Sequence, residues 1–238
     1  RITKLYSVPT AFVRLLTLEN LKQRLGNVRY CFSAAASMAA EIVRQWKEVT
    51  GLTIYEGYGM TESASAVTFN LYYRHVIGSI GTAVRGVEVQ IRDISTGEVL
   101  DAGKEGEICI RGRNIMKGYL NNPQATKESF WSLEEGKRRH EDGWFRSGDI
   151  GYADKEGYVF IVDRLKDMII TGGENVYPRE VEEVLYTKPV VEDCAVIGVP
   201  DKEWGEKVAA FIIPKAGKTI ATDELKAFMK TKLAPFKV

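Results

Sequence analysis

The sequence predicts a mixed α/β and α+β chain: the end of a parallel α/β subdomain, then a small β-barrel-like subdomain, then a small C-terminal α+β domain. Three observations carry this. Residues 1–75 alternate helix-spaced apolar positions with short β-branched runs, in a strand–helix–strand order that makes a parallel crossover. Residues 76–163 change to short strands of period two separated by glycine-bearing turns. Residues 164–238 read as strand, helix, strand, strand, helix, enough for a separate small domain. The expected division is therefore 1–163 and 164–238.

In the first region Pro9 to Leu25 is expected as one helix. Phe12, Leu15, Leu16 and Leu18 fall largely on one side, Leu21 and Leu25 extend the pattern, and Gly26 ends it. Val28 to Phe32 is a strand, followed by the small-residue run Ser33-Ala34-Ala35-Ala36-Ser37. That run has two readings: a place where a ligand approaches the backbone, or a tight entry to the next helix, capped by Ser37. The helix carries Met38, Ile42, Trp46 and Val49 at spacings of four, four and three, and Gly51 closes it before the strand Leu52 to Tyr55.

Ligands of parallel sheets gather at the carboxyl ends of the strands, where both the Ala run and the stretch Glu56-Gly57-Tyr58-Gly59-Met60-Thr61-Glu62 fall. Gly57 and Gly59 let the backbone turn sharply and lie close to a ligand. Tyr58 offers a face for a planar ring, Thr61 a hydroxyl for a phosphate oxygen, and Glu62 a hard oxygen suited to Mg²⁺. The alternative is a Gly-rich turn after a strand, with Thr61 and Glu62 starting a helix.

The middle region offers the alternating strands Val87 to Ile91 and Gly106 to Gly112, a helical turn begun by Asn121-Asn122-Pro123, and a solvated charged loop from Leu133 to Asp142. Asp149 follows an aromatic pair and Gly148 and precedes Ile150-Gly151-Tyr152. A carboxylate there suits the two hydroxyls of a ribose; the alternative is a turn-capping Asp. After the strand Tyr158 to Val162, the charged linker Asp163-Arg164-Leu165-Lys166-Asp167 leads to the strand Met168 to Thr171 and the turn Gly172-Gly173. A helix opened by Pro178, strands Cys194 to Val199 and Val208 to Ile213, and a helix capped by Thr222 complete the chain.

Among 238 residues, 45% are apolar, which suffices for a sizeable core, and a net charge of +1 gives no electrostatic reason to expect nucleic acid or an anionic membrane as partner. The longest apolar runs have strand length, so no transmembrane helix is expected. Cys31, Cys109 and Cys194, odd in number and set among apolar residues, read as reduced thiols and favour the cytoplasm. His75 and His140 have no ligand-spaced partners for zinc. With Arg1 first and Leu233-Ala234-Pro235-Phe236 near its end, the chain reads as a piece of a longer protein.

Four blocks, in order, carry a resemblance: Tyr58-Gly59-Met60-Thr61-Glu62, Gly148-Asp149, Asp163-Arg164-Leu165-Lys166-Asp167, and Gly172-Gly173-Glu174-Asn175-Val176-Tyr177-Pro178. Over essentially its whole length the chain resembles the second half of an adenylate-forming enzyme of the acyl-CoA synthetase type, in the superfamily that also holds luciferases and peptide-synthetase adenylation domains. The resemblance implies that a carboxylic acid attacks MgATP to give acyl-AMP, and that coenzyme A then displaces AMP; the stretch Val67 to Leu71 points to a fatty or aryl acid. The resemblance also implies that Ala34, Ala35 and Ala36 line the adenine and acyl pocket, with Val67 to Leu71 as a further wall. Tyr58, between Gly57 and Gly59, stacks on adenine, Thr61 holds the phosphate, Glu62 the Mg²⁺, and Asp149 and Arg164 the ribose. Lys166 matches the hinge of the small domain, and Gly172 and Gly173 approach the pantetheine arm. The family's phosphate loop and its catalytic lysine are not in these 238 residues, so the chain alone is expected to be inactive. A luciferase-like or carrier-protein adenylation activity, or nucleotide or partner binding without chemistry, are the other readings.

Overall fold

The computed structural model of the chain describes residues 2–36, 38–131 and 143–238; Ser37 and the charged loop from Leu133 to Asp142 lie outside the described residues. The chain folds as two units, Arg1–Ile161 and Val162–Val238.

The first unit opens with strand β1 (Lys4–Ser7), helices α1 (Pro9–Leu16) and α2 (Leu21–Leu25), strand β2 (Tyr30–Ser33), helix α3 (Ala40–Thr50) and strand β3 (Ile54–Tyr58). Strands β1, β2 and β3 are parallel neighbours, with Leu5 opposite Cys31 and Cys31 opposite Ile54. Phe12, Cys31, Met38, Val43, Trp46 and Ile54 are all but inaccessible and form one core, in which the Phe12 and Trp46 rings meet edge to face at 4.9 Å. The single helix expected from Pro9 to Leu25 is two. The Thr17 hydroxyl donates back to the Arg14 carbonyl at 2.8 Å, and Asn20 stands in the left-handed region at φ 58°, which a continuing helix does not allow.

Strand β3 does not end at Tyr55 as expected. Strand β4 (Thr68–Phe69) returns antiparallel to it, with Phe69 opposite Gly57 and Thr68 opposite Tyr58, and so holds three further residues extended. Strand β5 (Thr82–Ala83) completes the order β1-β2-β3-β4-β5.

A second sheet follows, built from β6 (Val87–Arg92), β7 (Gly106–Gly112), β8 (Phe130–Trp131), β9 (Trp144–Ala153) and β10 (Val159–Arg164), in the order β10-β9-β7-β6 with β8 against β9. Helix α4 (Pro123–Glu128) precedes β8, and its expected start is sound: Asn122 Oδ1 accepts from the Ala125 N–H at 3.0 Å. Ile91, Ile108, Ile110, Phe130, Phe145 and Val159 make its core, joined by Val67 and Ile80.

The second unit contains β11 (Ile169–Thr171), β12 (Glu174–Val176), α5 (Pro178–Tyr186), β13 (Val191–Asp201), β14 (Gly205–Pro214) and α6 (Thr222–Lys230). Its sheet is antiparallel in the order β12-β11-β14-β13. Ile169, Val176, Val181, Leu185, Val196, Leu225 and Met229 form its own core. Pro178 takes the first helical position of α5, where its missing N–H is no loss, and the carboxylate of Asp163 accepts the next N–H, from Arg179, at 2.9 Å. Thr222 does not cap α6. It is the first helical residue, and Ala221 stands at the cap without a side-chain bond. All three cysteines are free thiols; Cys31 and Cys109 are buried and Cys194 is half-buried. Among the described residues no helix is long and apolar enough to cross a membrane.

Candidate active site

The carboxyl end of β3 delivers Glu56, Gly57 and Tyr58 in one extended run. Its glycines do not make the sharp turn expected of them. Gly57 lies inside the strand, where a Cβ would come within 2.5 Å of the Phe69 ring and 2.6 Å of the Phe32 ring, and a Cβ on Gly59 would overlap the Ser65 carbonyl oxygen. Both are glycine because the protein's own atoms occupy the space. Glu56 is buried and its Oε1 accepts from the Met38 N–H at 3.3 Å. The carboxylate thus fastens the chain just beyond Ala34, Ala35 and Ala36 to the end of β3, since Ser33 is opposite Glu56 in the sheet. Ala34 is half-buried, Ala35 and Ala36 are exposed, and Ala35 turns at φ 74°.

Thr61, Glu62 and Ser63 form a single 3₁₀ turn. Ser63 Oγ bonds both the N–H and the carbonyl of Met60, and the Asn114 amide donates to the Ser63 and Ala66 carbonyls at 2.9 and 3.0 Å. The Glu62 carbonyl accepts from the Met116 N–H at 2.7 Å, and its side chain accepts from the Tyr119 hydroxyl at 3.0 Å. Burial first, and then the Glu62 carboxylate, push the Tyr119 hydroxyl pKa up, so Tyr119 remains a donor. The turn is therefore fixed to the segment 114–119, with Thr61 exposed.

Asp149 comes to the same place from the other sheet. The Tyr58 hydroxyl donates to Asp149 Oδ2 at 2.5 Å, joining residues 91 apart in sequence. Tyr58, Thr61, Glu62 and Asp149 are so brought to one edge of the first unit. Asp149 rides on a bulge in β9. Glu107 is opposite Ile150 and Cys109 opposite Arg146, so two steps along β7 are matched by four along β9. Buried Glu107 accepts from Arg146 Nε at 2.8 Å and from the Gly148 N–H at 3.2 Å, and Gly148 turns at φ 73°. Sequence reading missed Glu107, Arg146 and Tyr119, because their partners are 39 to 57 residues away.

Val67 and Thr68, expected to wall the acyl pocket together with Phe69, Asn70 and Leu71, are fully buried, and the Phe69 ring packs on Phe32 at 5.3 Å. Arg164, Lys166, Gly172 and Gly173 belong to the second unit. Arg164 ends β10, Lys166 lies in the 3₁₀ turn Leu165–Asp167, and Gly172 and Gly173 turn β11 into β12 at φ 58° and 86°. A Cβ on Gly172 would meet the Trp204 ring at 2.8 Å.

Glu62 fits a Mg²⁺ that binds through one carboxylate together with substrate phosphates and water. Among the described residues no cluster of three acidic, His or Cys ligands forms a closed protein cage, which Mg²⁺ seldom uses.

The model of the AMP-binding enzyme family matches residues 1–120, and that of the AMP-binding enzyme C-terminal domain matches residues 180–238. The chain belongs to the AMP-binding enzyme family. It is similar to a feruloyl-CoA synthase of an Amycolatopsis species, 42% identical over all of this chain and 47% of the relative. It is 38% identical to the long-chain-fatty-acid–CoA ligase of Bacillus subtilis, over 97% of this chain and 40% of the relative. The crystal structure of ATP-bound MatB from Rhodopseudomonas palustris superposes with a TM-score of 0.93 at 39% identity, covering 100% of this chain and 46% of that one. The chain spans less than half the length of the relatives it matches.

Proposed function

We propose that this family member forms part of an ATP-dependent acid–thiol ligase that activates a fatty or aryl acid as acyl-AMP and passes the acyl group to coenzyme A. The observation that carries the reading is the Tyr58–Asp149 hydrogen bond beside the anchored Thr61–Glu62 turn, which gathers an aromatic face, two carboxylates and a hydroxyl at a strand end. The feruloyl-CoA and fatty-acyl-CoA relatives support the acid and thiol classes.

The adenine would lie on the Tyr58 ring, between the end of β3 and the Ala34 to Ala36 run, and the ribose hydroxyls would donate to Asp149. Thr61 would donate to an α-phosphate oxygen. Glu62 would hold Mg²⁺, which when bound neutralises charge on the phosphates. The substrate carboxylate forms a bond to the α-phosphorus as the bond to pyrophosphate breaks. The thiolate of coenzyme A then bonds to the acyl carbon, and AMP leaves with the electron pair. Gly173, with no atom within 4 Å of where a Cβ would stand, leaves backbone open to the thiol's arm, whereas at Gly172 the Trp204 ring fills that space; Lys166 would be the hinge of the second unit between the two half-reactions.

The test is acid-dependent exchange of pyrophosphate into ATP by the full-length protein, over a panel including ferulate and long-chain fatty acids. Exchange with at least one of these acids is expected, and Glu62→Gln should raise the Mg²⁺ concentration for half-maximal rate about tenfold by removing a hard ligand's charge. Exchange with no acid, or an unchanged Mg²⁺ dependence in the variant, would overturn the ligase reading or the metal role respectively.

A further inference from the structure

We propose that Glu107 is a positioning residue for nucleotide recognition: a buried carboxylate that shapes the β9 bulge so that Asp149 meets the ribose. The inference rests on the reading of Asp149 as the ribose acceptor and goes beyond it, because Glu107 touches no substrate.

Four observations lead there. Glu107 lies in the middle of a sheet core between Gly106 and Ile108, and its side chain is 2% exposed, an expensive place for a charge without a dedicated partner. Its two oxygens take different bonds, Oε2 from Arg146 Nε and Oε1 from the Gly148 N–H. Both donors stand on the bulge, one at its base and one directly before Asp149. The Arg146 guanidinium is in turn held over the Trp131 ring at 4.3 Å, so it cannot follow a displaced carboxylate without losing that contact.

A bulge of two extra residues has no ladder of its own to fix its shape. Glu107 Oε1 supplies from beneath the acceptor that the missing ladder would have given the Gly148 N–H, Ser147 Oγ accepts the Asp149 N–H at 3.0 Å, and the Tyr58 hydroxyl donates to the Asp149 carboxylate. Asp149 is thereby aimed before any nucleotide arrives, and preorganisation of this kind improves binding without changing the chemical step.

The distinguishing measurement is discrimination between ATP and 2′,3′-dideoxy-ATP, which lacks both hydroxyls that Asp149 would accept. Pyrophosphate exchange by the full-length protein is measured with each nucleotide, in the wild type and in Glu107→Gln, Arg146→Lys and Asp149→Ala. Asp149→Ala should erase the preference for ATP. Glu107→Gln should raise KM for ATP about tenfold, leave KM for the dideoxy nucleotide within about twofold, keep kcat, and add nothing in the Asp149→Ala background. Arg146→Lys keeps the charge but loses the fixed Nε–H, and should give a smaller shift of the same kind. It also serves where Glu107→Gln fails to fold.

If Asp149→Ala keeps the preference, the ribose reading falls and this inference with it. If Asp149→Ala erases the preference but the Glu107 or Arg146 variant lowers activity with both nucleotides alike, Glu107 is scaffold only, and the inference alone is overturned.

Discussion

Burial lifts the Cys109 thiol to about 12 and the Cys31 thiol to about 11, because a thiolate at either place would lose its water. Both are therefore thiols at neutral pH, and thiols rather than thiolates are poor nucleophiles. Native protein at pH 8 should leave Cys31 and Cys109 unmodified by iodoacetamide, whereas urea-unfolded protein should react at all three cysteines; rapid native labelling of Cys109 would contradict the burial. The linkage has a definite sign. The unfolded chain gives up the Cys109 proton near the ordinary value of 9.0, and the folded chain keeps it until about 12. Between those values the folded state holds more protons, so stability falls as pH rises through that window. Cys109→Ala should flatten the fall, measured as the slope of unfolding free energy against pH. At this scale the sequence singled out Tyr58, Thr61, Glu62 and Asp149, which the fold brings to one edge of the first unit. It was silent on Glu107 and Tyr119, because an acid in an alternating strand and a tyrosine in a loop look ordinary until their partners are in place.

Elements were legible where the apolar period was long and poorly so where partners decided the outcome. Helix α3 stands where it was expected and buries Trp46, but it buries Val43 in place of Val49, which is exposed; β13 and β14 contain the expected runs Cys194 to Val199 and Val208 to Ile213 and extend past both ends of each. Four residues of β1 and three of β12 are too few to show alternation, and each is held extended by its neighbour, β2 or β11. The extension of β3 through Gly57 has the same origin, since β4 pairs with it. Glycine in a strand costs stability through its freedom in the unfolded chain, yet Gly57→Ala should destabilise the first unit here. The added methyl would meet two aromatic rings within 2.6 Å, and overpacking of that kind costs about 1–3 kcal/mol. Urea unfolding checks this, and Phe69→Leu in the same chain should return part of the loss by vacating ring space. Equal or greater stability of Gly57→Ala alone would mean that the β3–β4 contact is looser than its geometry.

For the whole molecule, the order of four short blocks revealed the family, whereas the presence of two units rests on how the apolar side chains are shared out. The cores of the first unit draw on residues up to Val159, and the second unit's core draws on Ile169 to Leu233, with no buried residue common to both among the described residues. A unit with its own core can lose stability by itself, because the free energy of a core substitution is spent among the side chains that it touches. Leu185, 1% exposed in α5 and packed in the second core, is the place to ask. Leu185→Ala removes buried methyl groups and leaves a cavity, at a cost of about 2–5 kcal/mol, a large part of what a domain of this size possesses. The expected result in calorimetry of the 238-residue chain is a transition that moves down by several degrees while a second, belonging to the first unit, stays in place. Thermal-shift proteolysis should agree, with cleavage appearing first after Val162. If instead the whole chain unfolds in one transition that shifts as a whole, the two cores are coupled strongly enough to behave as a single cooperative body, and a swinging second unit becomes untenable for this protein.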